Sequence, residues 1–592
     1  MKKRLLQGII SVLMLLLLVA FAAGLTYYLI REQFFPTGSD TYYHLYRADT
    51  LYHSIKSGDY YPLYDRYWYN GVENMRFWPP IAAYLIAGCE ALVGGDAFLG
   101  FALFVGIIAF FGGLAWYVIG IYEKRIVFGT LVGILWFFMP NNLFALFVEG
   151  NLPRSVIMVF LPLLLYHTHR FLRTKKVGSI LAIMIYFSII LLCHVGYGGM
   201  IALSLLVFLA IYQLFVRRRT GALSVIMAYI IPFLVCMLWI YPSLRGANAS
   251  TTSVETMRSF FQKAIISLNP LLRLSSFDTF YFGLAAFLLG IFGIVCAKKE
   301  SQIHFWAGII IFILTTDLLF PLLSKLPGSS YLWMLRFISI ALCFLLLGLM
   351  FWKSLRMPFL VLILALLVLD TVPSLKLLTM PDEGKTQEER LVEQAERIML
   401  DEAKKMTVQR VAVLDNSTEG SSIHYYTANM GERVEDTFGA GWTSAATAKN
   451  IVMLNEAVSN QGYLYLFDRL VELGDDTGLV QIGQLKGGED DLDYLDDCAR
   501  ESGFSLVDRN EYYLLYHFDP GYRHFGTIDT YHAIGIGTNS SEMELYYPVM
   551  EEGESDNIED YTFEELTNYE MIYLDHFEYN DIETAEEMVK RL

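Results

Sequence analysis

The chain has 592 residues, 55% of them hydrophobic, and a mean hydropathy of +0.41, which excludes a single soluble domain. Its formal charge of −17 is unevenly spread: residues 381–592 hold 46 Asp and Glu against 15 Lys and Arg, and residues 1–380 hold 15 against 29. A basic membrane half is therefore followed by an acidic water-soluble half, and nucleic acid is not an expected partner.

The N-terminus, MKKRLLQGIISVLMLLLLVAFAAGLTYYLI, starts basic, but its apolar run is longer than a signal-peptide core and no small-residue cleavage site closes it. It reads as a retained signal anchor. The loop that follows, residues 31–77, is long, acidic and aromatic, a composition suited to gripping a ligand. Further apolar runs of spanning length bring the expected total to about eleven crossings. The segment WPPIAAYLIAGCEALVG at 78–94 is the ambiguous one. If it crosses fully, the later basic connectors fall on the side opposite Lys2, Lys3 and Arg4; if it re-enters, all are cytoplasmic, as the positive-inside bias requires. A re-entrant segment is therefore expected, with the N-terminus cytoplasmic and the loops 31–77, 145–153, 243–278 and 324–333 outside together with the acidic half.

The soluble half shows mixed patterning. RVAVLD at 410–415 alternates like a strand, and from Tyr531 onward HAIGIG, EELTNYEMIYLDHF and DIETAEEMVKRL read as strand, helix-to-strand and helix. Such alternation predicts a doubly wound parallel sheet, with the chain expected to stop inside its last domain. The fold class expected is thus a polytopic α-helical membrane domain over 1–380, an extracytoplasmic α/β domain over 381–530, and the start of another over 531–592. No disulfide framework is suggested, because five of six cysteines lie in apolar runs.

Candidate chemistry gathers on the outward loops. Asp40 follows the first span by about ten residues, and helical spacing puts Asp40, His44 and Arg47 on one face. A carboxylate there suits a general base toward a hydroxyl, or a divalent cation ligand; a helix cap is the plain alternative. Glu149 in FVEGNLPR, with Asn151 and Arg154, stands at the end of a span, where charges are costly unless used or paired. His194 interrupts a tight turn, and a lone His there is more often packing than a ligand. Arg245 and Glu255 lie on a later outer loop and Arg336 opens a span; arginines so placed suit a phosphate.

The signal anchor, the long loop opening with an Asp, and the many spans before an α/β domain resemble the GT-C superfamily of membrane glycosyltransferases. More narrowly, SDTYYHLYRADTL, GDYYPLYDRYWYNG, FWPP, VEGNLPRSVIMVFLPLLLY and LWMLRF are similar to blocks of the bacterial membrane proteins named for a 6-pyruvoyl-tetrahydropterin-synthase-related domain. The resemblance covers residues 1–380 and implies Asp40 and Glu149 as catalytic carboxylates. It also suits Arg336 to a lipid-phosphate contact; His44, Arg47, Arg154 and Arg245 are expected beside it as substrate contacts, and Asp40, Glu149 and Glu255 as ligands for a divalent cation, Mg or Mn. The implied function is transfer of a sugar from a polyprenyl-phosphate donor to a cell-envelope glycan acceptor outside a multi-pass membrane protein. The alternative is a non-catalytic protein that binds or assembles envelope polysaccharide. The WWD motif of oligosaccharyltransferases and the zinc histidines of the pterin enzyme are absent, so neither chemistry is implied. The tail from Tyr531 resembles glutamine-amidotransferase-like folds but carries no cysteine, so it implies no such hydrolysis.

Overall fold

A computed structural model describes residues 2–34, 38–216, 221–244, 283–316, 318, 321, 325, 333–379, 386–414, 422–440, 445, 448–519, 533–537, 550–569 and 571–592. The chain forms two compact units: residues 1–64, 73–247 and 252–391 make one, and residues 65–72, 248–251 and 392–592 the other.

The first unit is helical. Helices α1 (Lys2–Arg31), α2 (Thr41–Lys56), α3 (Ile81–Leu92), α4 (Ala97–Tyr122), α5 (Ile126–Phe138), α6 (Pro140–Phe147), α7 (Leu152–Thr174), α8 (Val177–Leu191), α9 (Val195–Val216) and α10 (Ala222–Leu244) are followed by further helices that include Phe337–Phe351. Among the described residues six helices are long and apolar enough to cross a bilayer, or seven if the bent pair α5 and α6 is one span. Four shorter apolar helices, among them α3 and α8, accompany them. The 12 residues of α3 make it about 18 Å long at 1.5 Å per residue, well short of a hydrocarbon core of about 30 Å.

Burial ranks these helices. The best apolar window of α1 is 17% buried and that of Met334–Phe351 is 89% buried, so α1 lies at the rim of its unit and the other near the centre. Helices α4 and α5 cross closely because Gly133 carries no side chain: a Cβ there would stand 2.7 Å from the Gly113 carbonyl oxygen. The run 126–144 is one of the apolar runs of spanning length, yet it breaks within itself. Proline disfavours helical geometry in the residue before it, and Met139 adopts φ −58°, ψ 140°, so Pro140 opens α6 at 45° to α5. All eight residues of α6 are buried, and the helix delivers Glu149 and Gly150 to the unit's interior.

The second unit holds two sheets. In the larger, with order β2-β1-β3-β5-β4, strands β1 (Arg410–Leu414), β2 (Glu435–Asp436) and β3 (Thr477–Gln481) are parallel, while β5 (Tyr513–His517) runs antiparallel to β3 and to β4 (Ser505–Arg509). The sheet is thus mixed rather than wholly parallel. The smaller sheet is parallel, with β6 (Ala533–Ile536) between β7 (Met550–Glu552) and β8 (Met571–Leu574), over a core of Ile534, Ile536, Ile558, Leu566 and Ala585. A Thr562–Glu565 capping box and the Asp581 cap start its two helices.

Residues 65–72 of the long first loop belong to this unit. They form a tight hairpin, with Asp65 and Val72 exchanging backbone hydrogen bonds at 2.9 and 2.8 Å and Tyr69, Asn70 and Gly71 all at positive φ. The hairpin covers the edge of β2: the Asp436 amide donates to the Tyr67 carbonyl at 2.8 Å. Trp68 and Tyr69 are 0% and 1% exposed; Trp68 Nε1 donates to the His424 carbonyl at 3.2 Å, and the Tyr69 hydroxyl to the Ala440 carbonyl. These two aromatics, expected to help form a ligand-gripping surface, are core residues of the second unit.

Candidate functional site

Two loops of the first unit meet edge to edge. Residues 38–40 lead into α2 and residues 148–151 into α7, with the Ser39 amide donating to the Val148 carbonyl at 3.2 Å and the Asp40 amide to the Glu149 carbonyl at 2.8 Å. Glycine permits the approach. A Cβ on Gly38 would lie 2.5 Å from the Gly150 nitrogen, while Gly150 sits at φ +68°, where a Cβ would lie 2.2 Å from Thr41 Oγ1.

Asp40 occupies the residue before α2, yet its carboxylate accepts no capping hydrogen bond from the first turn. It lies 3.4 Å from Ser39 Oγ and within electrostatic reach of Arg336 and Tyr43. Glu149, 2% exposed, is held by two arginines: Arg154 Nη1 donates to Oε2, and Arg336 Nε lies 3.3 Å from Oε1. A buried carboxylate is expensive unless paired, and the second arginine leaves one positive charge over. Asp40 brings the four-residue cluster to two charges of each sign.

The arginines are themselves fixed. Arg154 Nη2 donates to Asn141 Oδ1 at 2.8 Å, the same oxygen accepts from Ser339 Oγ at 2.7 Å, and Tyr197 lies under the guanidinium at 5.2 Å. Arg336 lies 4.1 Å over Trp333, and its Nη1 is 3.3 Å from His194 Nε2. His44, Trp78 and His194 form a row of edge-on rings with centroids 5.7 and 5.5 Å apart. Burial, and then the nearby Arg47, push His44 well below the usual histidine range, so it is neutral.

Of the residues expected from sequence, Asp40, Glu149, Arg154 and Arg336 thus come together, with His44 alongside. Arg47 is 1% exposed and turned to the loop itself, donating from Nε to the Asn74 carbonyl at 3.1 Å and from Nη2 to the Trp78 carbonyl at 2.8 Å, which orients Trp78. Arg245 and Glu255 lie outside the described residues. Among the described residues no group of three or more His, Cys, Asp and Glu is placed to hold a metal. Both oxygens of Glu149 face guanidinium groups, so its arrangement does not fit a cation ligand. Asn141, Ser339, Tyr197 and Trp333 were not singled out from the sequence; the signal for the first was a pair of amides after Pro140 inside an apolar run.

Residues 75–378, just over half of the chain, match the family described as "6-pyruvoyl-tetrahydropterin synthase related domain; membrane protein". The chain belongs to that family. In this 6-pyruvoyl-tetrahydropterin-synthase-related membrane protein, residues 393–532 and 532–592 each match a domain of unknown function. No curated protein matches it. Among solved structures it is similar to the arabinofuranosyltransferase AftD from mycobacteria, at 12% identity and a TM-score of 0.48, over 90% of this chain and 42% of that one. It is similar also to the Archaeoglobus fulgidus oligosaccharyltransferase, at 13% identity and a TM-score of 0.49, over 79% and 68%. A third is ArnT from Cupriavidus metallidurans bound to undecaprenyl phosphate, at 12% identity and a TM-score of 0.37, over 85% and 97%.

Proposed function

We propose that the protein is a membrane glycosyltransferase that moves a sugar from a polyprenyl-phosphate donor to a hydroxyl of a cell-envelope glycan on the outer side. The observation that carries this reading is the joining of Asp40 to the Glu149–Arg336 pair, a base beside a cation suited to phosphate. Asp40 takes the acceptor's hydroxyl proton as the freed oxygen bonds to the sugar carbon. The bond from that carbon to the phosphate breaks, and its electron pair leaves with the lipid phosphate, which faces Arg336. One negative charge thereby moves from Asp40 to the phosphate, and the net charge of the site is unchanged. Glu149 keeps the two arginines in register and takes no proton.

The test is transfer of labelled sugar from polyprenyl-phosphate donors by the reconstituted full chain. Asp40→Asn should lower the rate at least about 100-fold, the lower end of general-base contributions, with polyprenyl-phosphate affinity retained. Full activity in that variant removes Asp40 from the mechanism, and phosphate or glycan binding without any transfer by the wild type favours an assembly protein instead.

A further inference from the structure

His194 is held between two groups that both offer it hydrogen. On one side the Tyr197 amide donates to Nδ1 at 3.2 Å. Tyr197 lies in the first turn of α9, where amides have no partner within the helix, so this bond caps the helix and its direction is fixed. On the other side Arg336 Nη1 stands 3.3 Å from Nε2, and a guanidinium nitrogen is never an acceptor. A neutral imidazole has one nitrogen that accepts and one that donates. Because Nδ1 accepts, Nε2 carries the hydrogen. The imidazolium would worsen both contacts, and burial with Arg336 and Arg154 nearby disfavours it further.

Two donors, His194 Nε2–H and Arg336 Nη1–H, therefore face one another at 3.3 Å. Arg336 cannot turn away freely, since its Nε is drawn to Glu149 and its plane lies over Trp333. His194 cannot turn either, being fixed by the Tyr197 amide and by Trp78, whose ring centroid is 5.5 Å away. Among the described residues, the buried Nε2 of His44, across Trp78, is a further polar atom with no hydrogen bond. Opposed donors 3.3 Å apart are an unfavourable arrangement that one anionic oxygen relieves, by accepting from both.

We propose that His194 is a ligand-binding residue that donates its Nε2–H, together with Arg336 Nη1–H, to one non-bridging oxygen of a phosphate. This rests on the donor assignment above and deepens it: the phosphate is read by a neutral histidine as well as by arginine. His194 thus does not deprotonate the acceptor, because its only lone-pair nitrogen is committed to α9.

Two substitutions separate the histidine's two ends. In His194→Asn the Oδ1 sits where Nδ1 was, so the cap survives and the donor is lost; in His194→Gln the amide NH2 reaches the position of Nε2 and the cap is lost. Binding of a polyprenyl phosphate to the full chain in nanodiscs should weaken about 10- to 100-fold in His194→Asn, the scale of one hydrogen bond to a charged group. It should stay within about fivefold in His194→Gln, while thermal stability ranks the other way. Histidine 15N resonances, assigned by difference with His194→Asn, should show the Nε2–H tautomer before ligand is added. Inorganic phosphate is the second arm: binding with the same His194 dependence shows that the phosphate oxygens suffice, and dependence with the lipid alone shows that the prenyl chain must anchor them. Unchanged lipid-phosphate affinity in His194→Asn, or an Nδ1–H tautomer, overturns the inference. Sugar transfer with wild-type phosphate affinity in that variant sinks His194 and leaves the transferase reading; His194-dependent phosphate binding in a protein that transfers nothing does the reverse.

Discussion

Residues 38–47 and residues 65–72 come from one loop and share a vocabulary of Asp, Arg and Tyr, with Trp68 and His44 added, yet their side chains are satisfied in different ways. In the first stretch Asp40 joins a cluster of buried charges through its backbone and leaves its carboxylate unused as a cap. In the second, Asp65 turns back to accept from the Tyr67 amide at 3.3 Å, and the aromatics fill a core. Composition announces that a loop has work to do, and only the partners tell which stretch is chemical and which is architectural.

The largest effect that tests this contrast is Trp68→Ala. Losing a fully buried indole costs about 3–5 kcal/mol, so hydrogen exchange at β1 and β3 should accelerate accordingly while polyprenyl-phosphate affinity holds. Loss of phosphate binding in that variant would erase the distinction. Next comes Asp475, whose buried carboxyl, with Thr437 Oγ1 at 2.6 Å, is pushed up to about 7 by burial. Between the usual aspartate value and about 7 the folded unit keeps a proton that the unfolded chain has lost, so stability falls as pH rises through that window. Asp475→Asn should flatten the fall by up to roughly 4 kcal/mol, measured by denaturation across the window; an unchanged slope would show that Asp475 is ionised throughout.

A smaller effect belongs to the charged cluster. Asn141→Ala frees Arg154 Nη2 and should cost about 2 kcal/mol, with sugar transfer reduced and the exchange protection of the second unit untouched. The smallest is Arg66→Ala, since a 62% exposed arginine 3.4 Å from Glu435 contributes at most about 1 kcal/mol. A larger loss there would mean that the hairpin is held by charge rather than by its aromatics.

Much of this was readable from the sequence, and the limits have physical causes. Asp40, Glu149, Arg154 and Arg336 stand out because a charge at the end of an apolar run has few ways to be stable. The helix break was signalled by Pro140 but masked by the apolar residues on both sides of it. Asn141 and Ser339 carry no charge, and their meeting at one oxygen depends on two helices nearly 200 residues apart. The mixed sheet was hidden for a similar reason, because alternation fixes a strand's faces and leaves the direction of its neighbour open. The role of Trp68 and Tyr69 was misjudged because loops are normally surface structures, and this one is finished by a domain encoded far downstream.

That distance has a consequence in time. Tyr69 bonds to a residue 371 positions later, and at about 5–20 residues per second a ribosome needs roughly 20–75 s to make the intervening chain. Throughout that interval two aromatic side chains destined for a core have no core to enter, and the second unit cannot close until a stretch translated before nearly all the membrane helices is returned to it. Biogenesis of this protein is therefore exposed to misassembly at the hairpin, long after the first helix has been inserted.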